Sequence, residues 1–222
     1  MSRKCASGLS KKGFQKGDVF ALFLPNLPEF PIAFFGVLQA GGAVTSANPL
    51  FTTEELAKQL KQADAKWILT VPQLVHRAKE AMQELGRDNV LVVGEVDGYE
   101  SMSELLKDDG SSIPELSINP KEDTAVIPFS SGTTGHPKGV MLTHYNLIAC
   151  GSMMRAQGFL SFDETTVLLA FLPFFHSFGM VANMCMGLHT GSSLISMPRF
   201  DKDKFLQVLQ KYEVSITVGE EK

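Results

Sequence analysis

Between residues 129 and 140 the chain reads Phe129-Ser130-Ser131-Gly132-Thr133-Thr134-Gly135-His136-Pro137-Lys138-Gly139-Val140. This segment concentrates the residue types needed to hold a polyphosphate. Gly132, Gly135 and Gly139 permit positive φ and close backbone approach to a ligand. Successive backbone N–H groups in such a turn form an anion-binding nest. The hydroxyls of Ser130, Ser131, Thr133 and Thr134 add donors, and hard oxygen ligands for a magnesium-bound phosphate. Lys138 supplies a compact, mobile positive charge. The loop fails the Walker A pattern. Pro137 stands where the second glycine belongs, and Gly139 follows Lys138 where a hydroxyl is required. Kinase or GTPase chemistry of the P-loop type is therefore not expected. The bland alternative is a Ser/Thr/Gly surface turn with one solvated lysine, and the ordered string weighs against it.

A second constellation is Leu172-Pro173-Phe174-Phe175-His176-Ser177-Phe178-Gly179, a histidine set among three phenylalanines. Taken alone, His176 reads first as a helix-start histidine satisfied by backbone, with a functional role as the alternative. His136 lies within the loop without a catalytic partner in the string, His144 sits at a helix start, and nothing near His76 or His189 points to chemistry. Cys5, Cys150 and Cys185 are odd in number and widely spaced, which argues against a disulfide framework or a zinc site.

The elements that must position these residues alternate between strand and helix. Strands are predicted at 19–24, 43–46, 67–71, 90–93, 124–129, 139–142, 167–172, 194–197 and 214–218. Helices fill most intervals. One begins at a capping-box-like Asn26 and Glu29, another at Thr52 and Glu55. Further helices are expected over 72–85, from Thr143 to about 157, over 176–188 and over 201–212, and the N-terminal residues read as a surface helix. Residues 97–122 are polar and read as a solvated linker between subregions 1–117 and 118–222. This alternation predicts an α/β fold of mostly parallel, doubly wound sheets with helices on both faces. Ligands of such sheets lie beyond the carboxyl ends of strands, where the Ser130 loop emerges.

Composition narrows the function. The chain has 222 residues, 44% hydrophobic and 20% charged, with a formal net charge of −4. A nucleic-acid partner is not expected, because polyanion binders present a basic face. The longest apolar run, 167–175, contains Pro173 and falls far short of the roughly 20 residues of a membrane-spanning helix.

The loop string resembles the phosphate-loop signature of the adenylate-forming superfamily: acyl- and aryl-CoA ligases, firefly-type luciferases and peptide-synthetase adenylation domains. Gly17-Asp18-Val19, Leu24-Pro25-Asn26, Gly36 to Ala43, Asn48-Pro49 and Glu54-Glu55-Leu56 are similar to the opening of that family's large domain, and the His176 segment resembles its second hallmark. The nearest flavour is coumarate–CoA-ligase-like and luciferase-like. The resemblance implies that ATP activates a carboxylic acid as an acyl-adenylate, which CoA then captures as a thioester. It implies that Ser130, Ser131, Gly132, Thr133, Thr134, Gly135 and Lys138 hold the phosphates, that Thr133 contacts Mg2+ through ATP, and that His176 works with Lys138 at the reacting centre. Phe174, Phe175 and Phe178 would line or support the acyl pocket.

Such enzymes also carry adenine-, ribose- and magnesium-binding motifs and a small C-terminal domain with a catalytic lysine, none of which this sequence contains. The expectation is therefore an incomplete large domain, a fragment with impaired or no activity alone. A non-catalytic form that binds Mg-ATP or a partner is the alternative. The partners implied are a carboxylic acid, ATP and CoA, with a cytoplasmic location by default and a peroxisomal one open to a full-length protein.

Overall fold

The computed structural model describes residues 1–113, 115–130, 137–156 and 162–217. The chain divides into two compact units: residues 1–24 with 29–144, and residues 25–28 with 145–222. The sequence reading assigns residues 118–144 to the second subregion, but this segment pairs into the sheet of the first unit.

The first unit contains α1 (Ser2–Lys11), β1 (Val19–Phe23), α2 (Glu29–Gln39), β2 (Ala43–Ser46), α3 (Thr53–Ala63), β3 (Ala65–Thr70), α4 (Val75–Gln83), β4 (Val90–Val92), β5 (Glu100–Ser101), α5 (Met102–Leu106), β6 (Thr124–Val126), β7 (Phe129–Ser130), β8 (Lys138–Gly139) and β9 (Leu142–Thr143). Its main sheet runs β5-β4-β3-β1-β2-β6-β9 and is parallel except for the last pair. Every residue of β1, β2 and β4 is buried, as parallel strands covered on both faces require. Against one face pack Leu56 and Leu60 of α3 and Val75, Ala78 and Met82 of α4. The predicted capping box of α3 is present: the Glu55 N–H donates to Thr52 Oγ1 at 3.3 Å, and the Thr52 N–H donates to Glu55 Oε2 at 2.8 Å.

Three local expectations are corrected. The N-terminal helix buries Cys5, Ala6 and Leu9 instead of lying wholly on the surface. It approaches α2 so closely that a Cβ on Gly36 would come within 2.7 Å of Cys5 Sγ. The supposed solvated linker contains β5 and α5, with Met102 and Leu105 buried. The single strand expected over 124–129 is broken after Val126, because Pro128 has no N–H to donate to a ladder.

The second unit contains α6 (His144–Ala156), β10 (Val167–Ala170), a π-helical turn (Gly179–Cys185), α7 (Met186–His189), β11 (Ser193–Ser196), α8 (Lys202–Lys211) and β12 (Ile216–Thr217). β10 lies between β11 and β12, parallel to both. Phe162, Leu168, Ala182 and Met186 form its apolar centre. A Cβ on Gly187 would meet Leu168 Cδ1 at 2.8 Å, so the helix after the π turn packs close on the strand and a side chain there would push the Leu168 and Leu194 side chains aside. The α/β class and the predominance of parallel strands are as the sequence predicts.

Candidate functional site

The phosphate-type loop hangs from a small antiparallel ladder. β7 pairs with β8, placing Phe129 opposite Gly139 and Ser130 opposite Lys138. Ser130 and Lys138 are both exposed. Ser131, Gly132, Thr133, Thr134, Gly135 and His136 lie outside the described residues. What the structure shows is therefore the base of the loop, and that base is tightly tied. The Val140 N–H donates to Pro128 O at 2.9 Å, and the Ile127 N–H donates to Val44 O at 2.8 Å. Gly139 is in close quarters: a Cβ there would meet Ile127 Cγ2 at 3.0 Å and Phe129 Cζ at 3.1 Å.

A buried polar relay beneath this base was not foreseen from sequence. Gln59 Nε2 donates to Thr45 Oγ1 and to Ser46 O, both at 3.1 Å. The Thr45 hydroxyl in turn donates to Ile127 O at 2.9 Å. Each group uses a donor on a buried acceptor, which the low dielectric of the interior makes worth more than at the surface. α3 thus fixes the end of β2, and β2 fixes Ile127, two residues before β7. A glutamine placed among Leu56, Leu60 and Ala63 on the apolar stripe of a helix was the available signal.

His176 belongs to the second unit and is exposed. Its backbone closes a turn: the His176 N–H donates to Pro173 O at 3.1 Å, and His176 O accepts from the Met180 N–H at 2.9 Å. Its Nδ1 accepts from the Phe178 N–H at 3.4 Å, so in the neutral ring Nε2 carries the proton. Phe174 is fully buried, and Phe178 is half-buried against the unit's apolar centre. Gly179 is compulsory here, since a Cβ would sit 2.2 Å from Pro173 O.

Asn26, expected to cap α2, does something else. Its side-chain amide donates to Ala170 O at 3.1 Å and Leu172 O at 2.8 Å, while its Oδ1 accepts from the Phe174 N–H at 2.8 Å. The helix begins at Glu29 without it.

Other candidates are weaker. Burial pushes the thiols of Cys5 and Cys185 up to about 12, so neither is a nucleophile near neutral pH. His144 is held below its ordinary value by burial, partly offset by Asp123. A cleft of about 630 Å³ touches the first residues of β4 and β5. Both lysines that line it are already engaged, Lys12 with Glu100 and Lys79 over the Tyr99 ring. Among the described residues no group of three or more His, Cys, Asp or Glu side chains is placed to hold a metal, and none of the helices is long and apolar enough to cross a membrane.

Comparison with known proteins places this geometry. The family model described as AMP-binding enzyme matches residues 1–219. 4-Coumarate–CoA ligase 1 of Petroselinum crispum is 40% identical over 219 residues, covering 97% of this chain and 40% of the relative. Among solved structures, a long-chain-fatty-acid–CoA ligase from Archaeoglobus fulgidus superposes with a TM-score of 0.83 at 28% identity, over 96% of this chain and 42% of that one. ATP-bound MatB from Rhodopseudomonas palustris superposes with a TM-score of 0.81 at 27% identity, over 98% and 42%. The chain thus spans about 40% of the length of the curated relatives it matches.

Proposed function

The chain belongs to the AMP-binding enzyme family, and on that premise we propose that it serves as the phosphate-gripping part of an ATP-dependent acid–CoA ligase. In the reaction proposed, a substrate carboxylate oxygen attacks the α-phosphorus of ATP. The bond to the bridging oxygen breaks, and pyrophosphate leaves with the electron pair. The sulfur of CoA then attacks the acyl carbon, giving a thioester and AMP, with the thiol proton passing to solvent.

The observation that carries this reading is the β7–β8 ladder, which sets Ser130 opposite Lys138 at the mouth of a loop made of Ser, Thr and Gly. Alignment of two anions and neutralisation of the departing pyrophosphate are the main demands of the first step. Lys138 meets the second demand at the β- and γ-phosphates. The backbone N–H groups and hydroxyls of Ser130, Ser131, Gly132, Thr133, Thr134 and Gly135 meet the first. Magnesium bound with ATP would add charge neutralisation, and the hard hydroxyl oxygen of Thr133 would be its contact from this chain. His176 orients the carboxylate with its Nε2 proton. Phe175 and Phe178 favour an acid with an apolar body, while Phe174, wholly buried, supports the turn from behind. A cytoplasmic site of action is the default for such a chain.

A second reading is that this chain binds Mg-ATP or a partner without catalysis. Carboxylate-dependent exchange of pyrophosphate into ATP separates the two. The loop itself is tested by calorimetry with Mg-ATP: Lys138→Ala is expected to weaken binding at least tenfold, the worth of about 1.4 kcal/mol. Equal affinity of the variant and the parent would sink the phosphate-gripping role.

A further inference from the structure

Asn26 makes three hydrogen bonds with one side chain, all to the stretch that leaves β10 and ends at His176. The carbonyls of Ala170 and Leu172 accept from its Nδ2, and the Phe174 N–H donates to its Oδ1. The side chain is buried, with 4% of its surface exposed, so water is not on hand to replace any of these partners. A carboxamide is the short side chain that offers two donors and an acceptor from one planar group. Asp would face two carbonyl oxygens with no proton to give. Gln would overshoot by a methylene.

The consequence reaches His176 through two bonds. Asn26 pins the Phe174 N–H. One residue earlier, Pro173 O accepts from the His176 N–H and packs against Gly179. The backbone from Leu172 to His176 is therefore held from one side by Asn26 and closed on itself at the other. Asn26 reaches this stretch from a four-residue segment, Pro25-Asn26-Leu27-Pro28, bracketed by prolines that fix φ at both ends. Little conformational freedom remains to be lost when the clamp forms.

We propose that Asn26 is the positioning residue of the His176 turn, setting where the imidazole stands during acyl-adenylate formation. The catalytic half of this statement rests on the ligase reading above; the clamp itself does not. Asn26 touches no reacting atom, so its signature is a split: the step that uses His176 suffers, and the phosphate grip, which belongs to the other unit, does not.

The test compares the 222-residue chain with Asn26→Ala and Asn26→Asp, the second retaining volume and the acceptor. Imidazole resonances of the five histidines and amide hydrogen exchange of Phe174 are followed by NMR. Mg-ATP affinity is followed by calorimetry, and carboxylate-dependent pyrophosphate exchange by rate. In both variants the His176 resonance is expected to move while those of His76 and His144 stay. Phe174 exchange should accelerate at least tenfold in Asn26→Ala and less in Asn26→Asp. Mg-ATP affinity should stay within twofold of the parent, and exchange turnover should fall at least tenfold. An unmoved His176 resonance with unchanged Phe174 protection in either folded variant overturns the proposal. So does a loss of Mg-ATP affinity as large as that of Lys138→Ala, which would mean Asn26 supports the fold in general. If the parent shows no pyrophosphate exchange yet His176 moves as expected, the ligase reading fails for this chain and the clamp stands.

Discussion

The base of the phosphate-type loop and the His176 turn are both fixed by a buried carboxamide, but they stand on different ground. Gln59 works against a seven-stranded sheet whose strands β1 and β2 are wholly buried and whose helix α3 buries Leu56, Ala57, Leu60 and Ala63. Asn26 works in a unit whose sheet has three strands, where α8 buries no residue and α6 buries only Gly151. α8 is tethered by an aromatic trio, Phe171, Phe200 and Phe205, with ring centroids 5.6 to 5.9 Å apart and Phe200 half in water. In the first unit apolar mass fixes the frame and the polar relay refines it. In the second the polar clamp carries a larger part of the order. Local stability follows buried apolar contact, so the two units should answer differently to the same kind of damage.

The largest expected contrast comes from matched truncations. Leu60 is fully buried in α3, and Leu206 in α8 is 60% exposed. Leu60→Ala should cost about 2–5 kcal/mol of unfolding free energy, and Leu206→Ala no more than about 0.5 kcal/mol. Urea titrations of both variants measure this directly. Equal losses would mean that α8 is covered in solution and that the two units do not differ in apolar support.

How far these features could be read from sequence depends on their range. The capping box at Thr52 and Glu55 was legible because its partners are three residues apart. The same pattern at Asn26 and Glu29 misled, since Asn26 pairs with carbonyls about 145 residues away, and local spacing carries no record of such partners. The strand over 19–24 was legible as an apolar run. β5 and α5 were not, because Glu100, Ser101 and Ser103 make a short, polar stretch in which the i, i+3 pair of buried Met102 and Leu105 is too brief to stand out as a helical period. The loop's residue types suggested a phosphate-binding role from sequence, whereas the ladder that sets Ser130 opposite Lys138 is visible only in the fold. The role of Thr45 was hidden, because a buried hydrogen bond leaves a polar residue looking like a surface one, and Gln59 left only its place on the apolar stripe of α3 as a signal.

The relay offers the next sharpening of the contrast. Gln59→Leu keeps the bulk of the side chain but places methyl groups against Thr45 Oγ1 and Ser46 O. Losing a buried donor while its acceptors stay should cost about 1–3 kcal/mol. If apolar mass really dominates the first unit, this variant remains folded, with a lower urea midpoint and an unchanged denaturant slope. Amide exchange at Ile127 should accelerate along with it. A loss as large as that of Leu60→Ala would make the relay, and not the packing, the chief support of the loop base.

The smallest effect is electrostatic and appears only in acid. Asp108 receives Lys11 Nζ at 2.6 Å and the Gly110 N–H at 2.9 Å. The Lys11 contact first, then bonds from Ser7 and Gly110, hold its carboxyl far below the usual range. Asp123 beside Lys16 and, in the second unit, Asp163 beside Thr165 and Thr166 are lowered in the same direction. An unfolded chain takes up these protons near pH 3.9, whereas the folded one takes them up only at lower pH. The stabilisation is therefore complete above about pH 5 and is withdrawn as pH falls through the unfolded value towards the folded ones. Thermal midpoints should be flat from pH 8 to about 5 and fall below about 4. Asp108→Asn should lower the midpoint slightly at pH 7 and flatten part of the acid limb, and Asp163→Asn should flatten another part. High salt screens the Lys11 attraction but leaves the Gly110 and Ser7 bonds to Asp108, so in 1 M NaCl the limb should shrink without vanishing. An acid limb identical in parent and Asp108→Asn would show that this carboxylate is as well solvated folded as unfolded. The weight of acid sensitivity would then shift to Asp123 beside Lys16 and, in the second unit, to Asp163, which ties Thr165 and Thr166 into the turn that leads into β10.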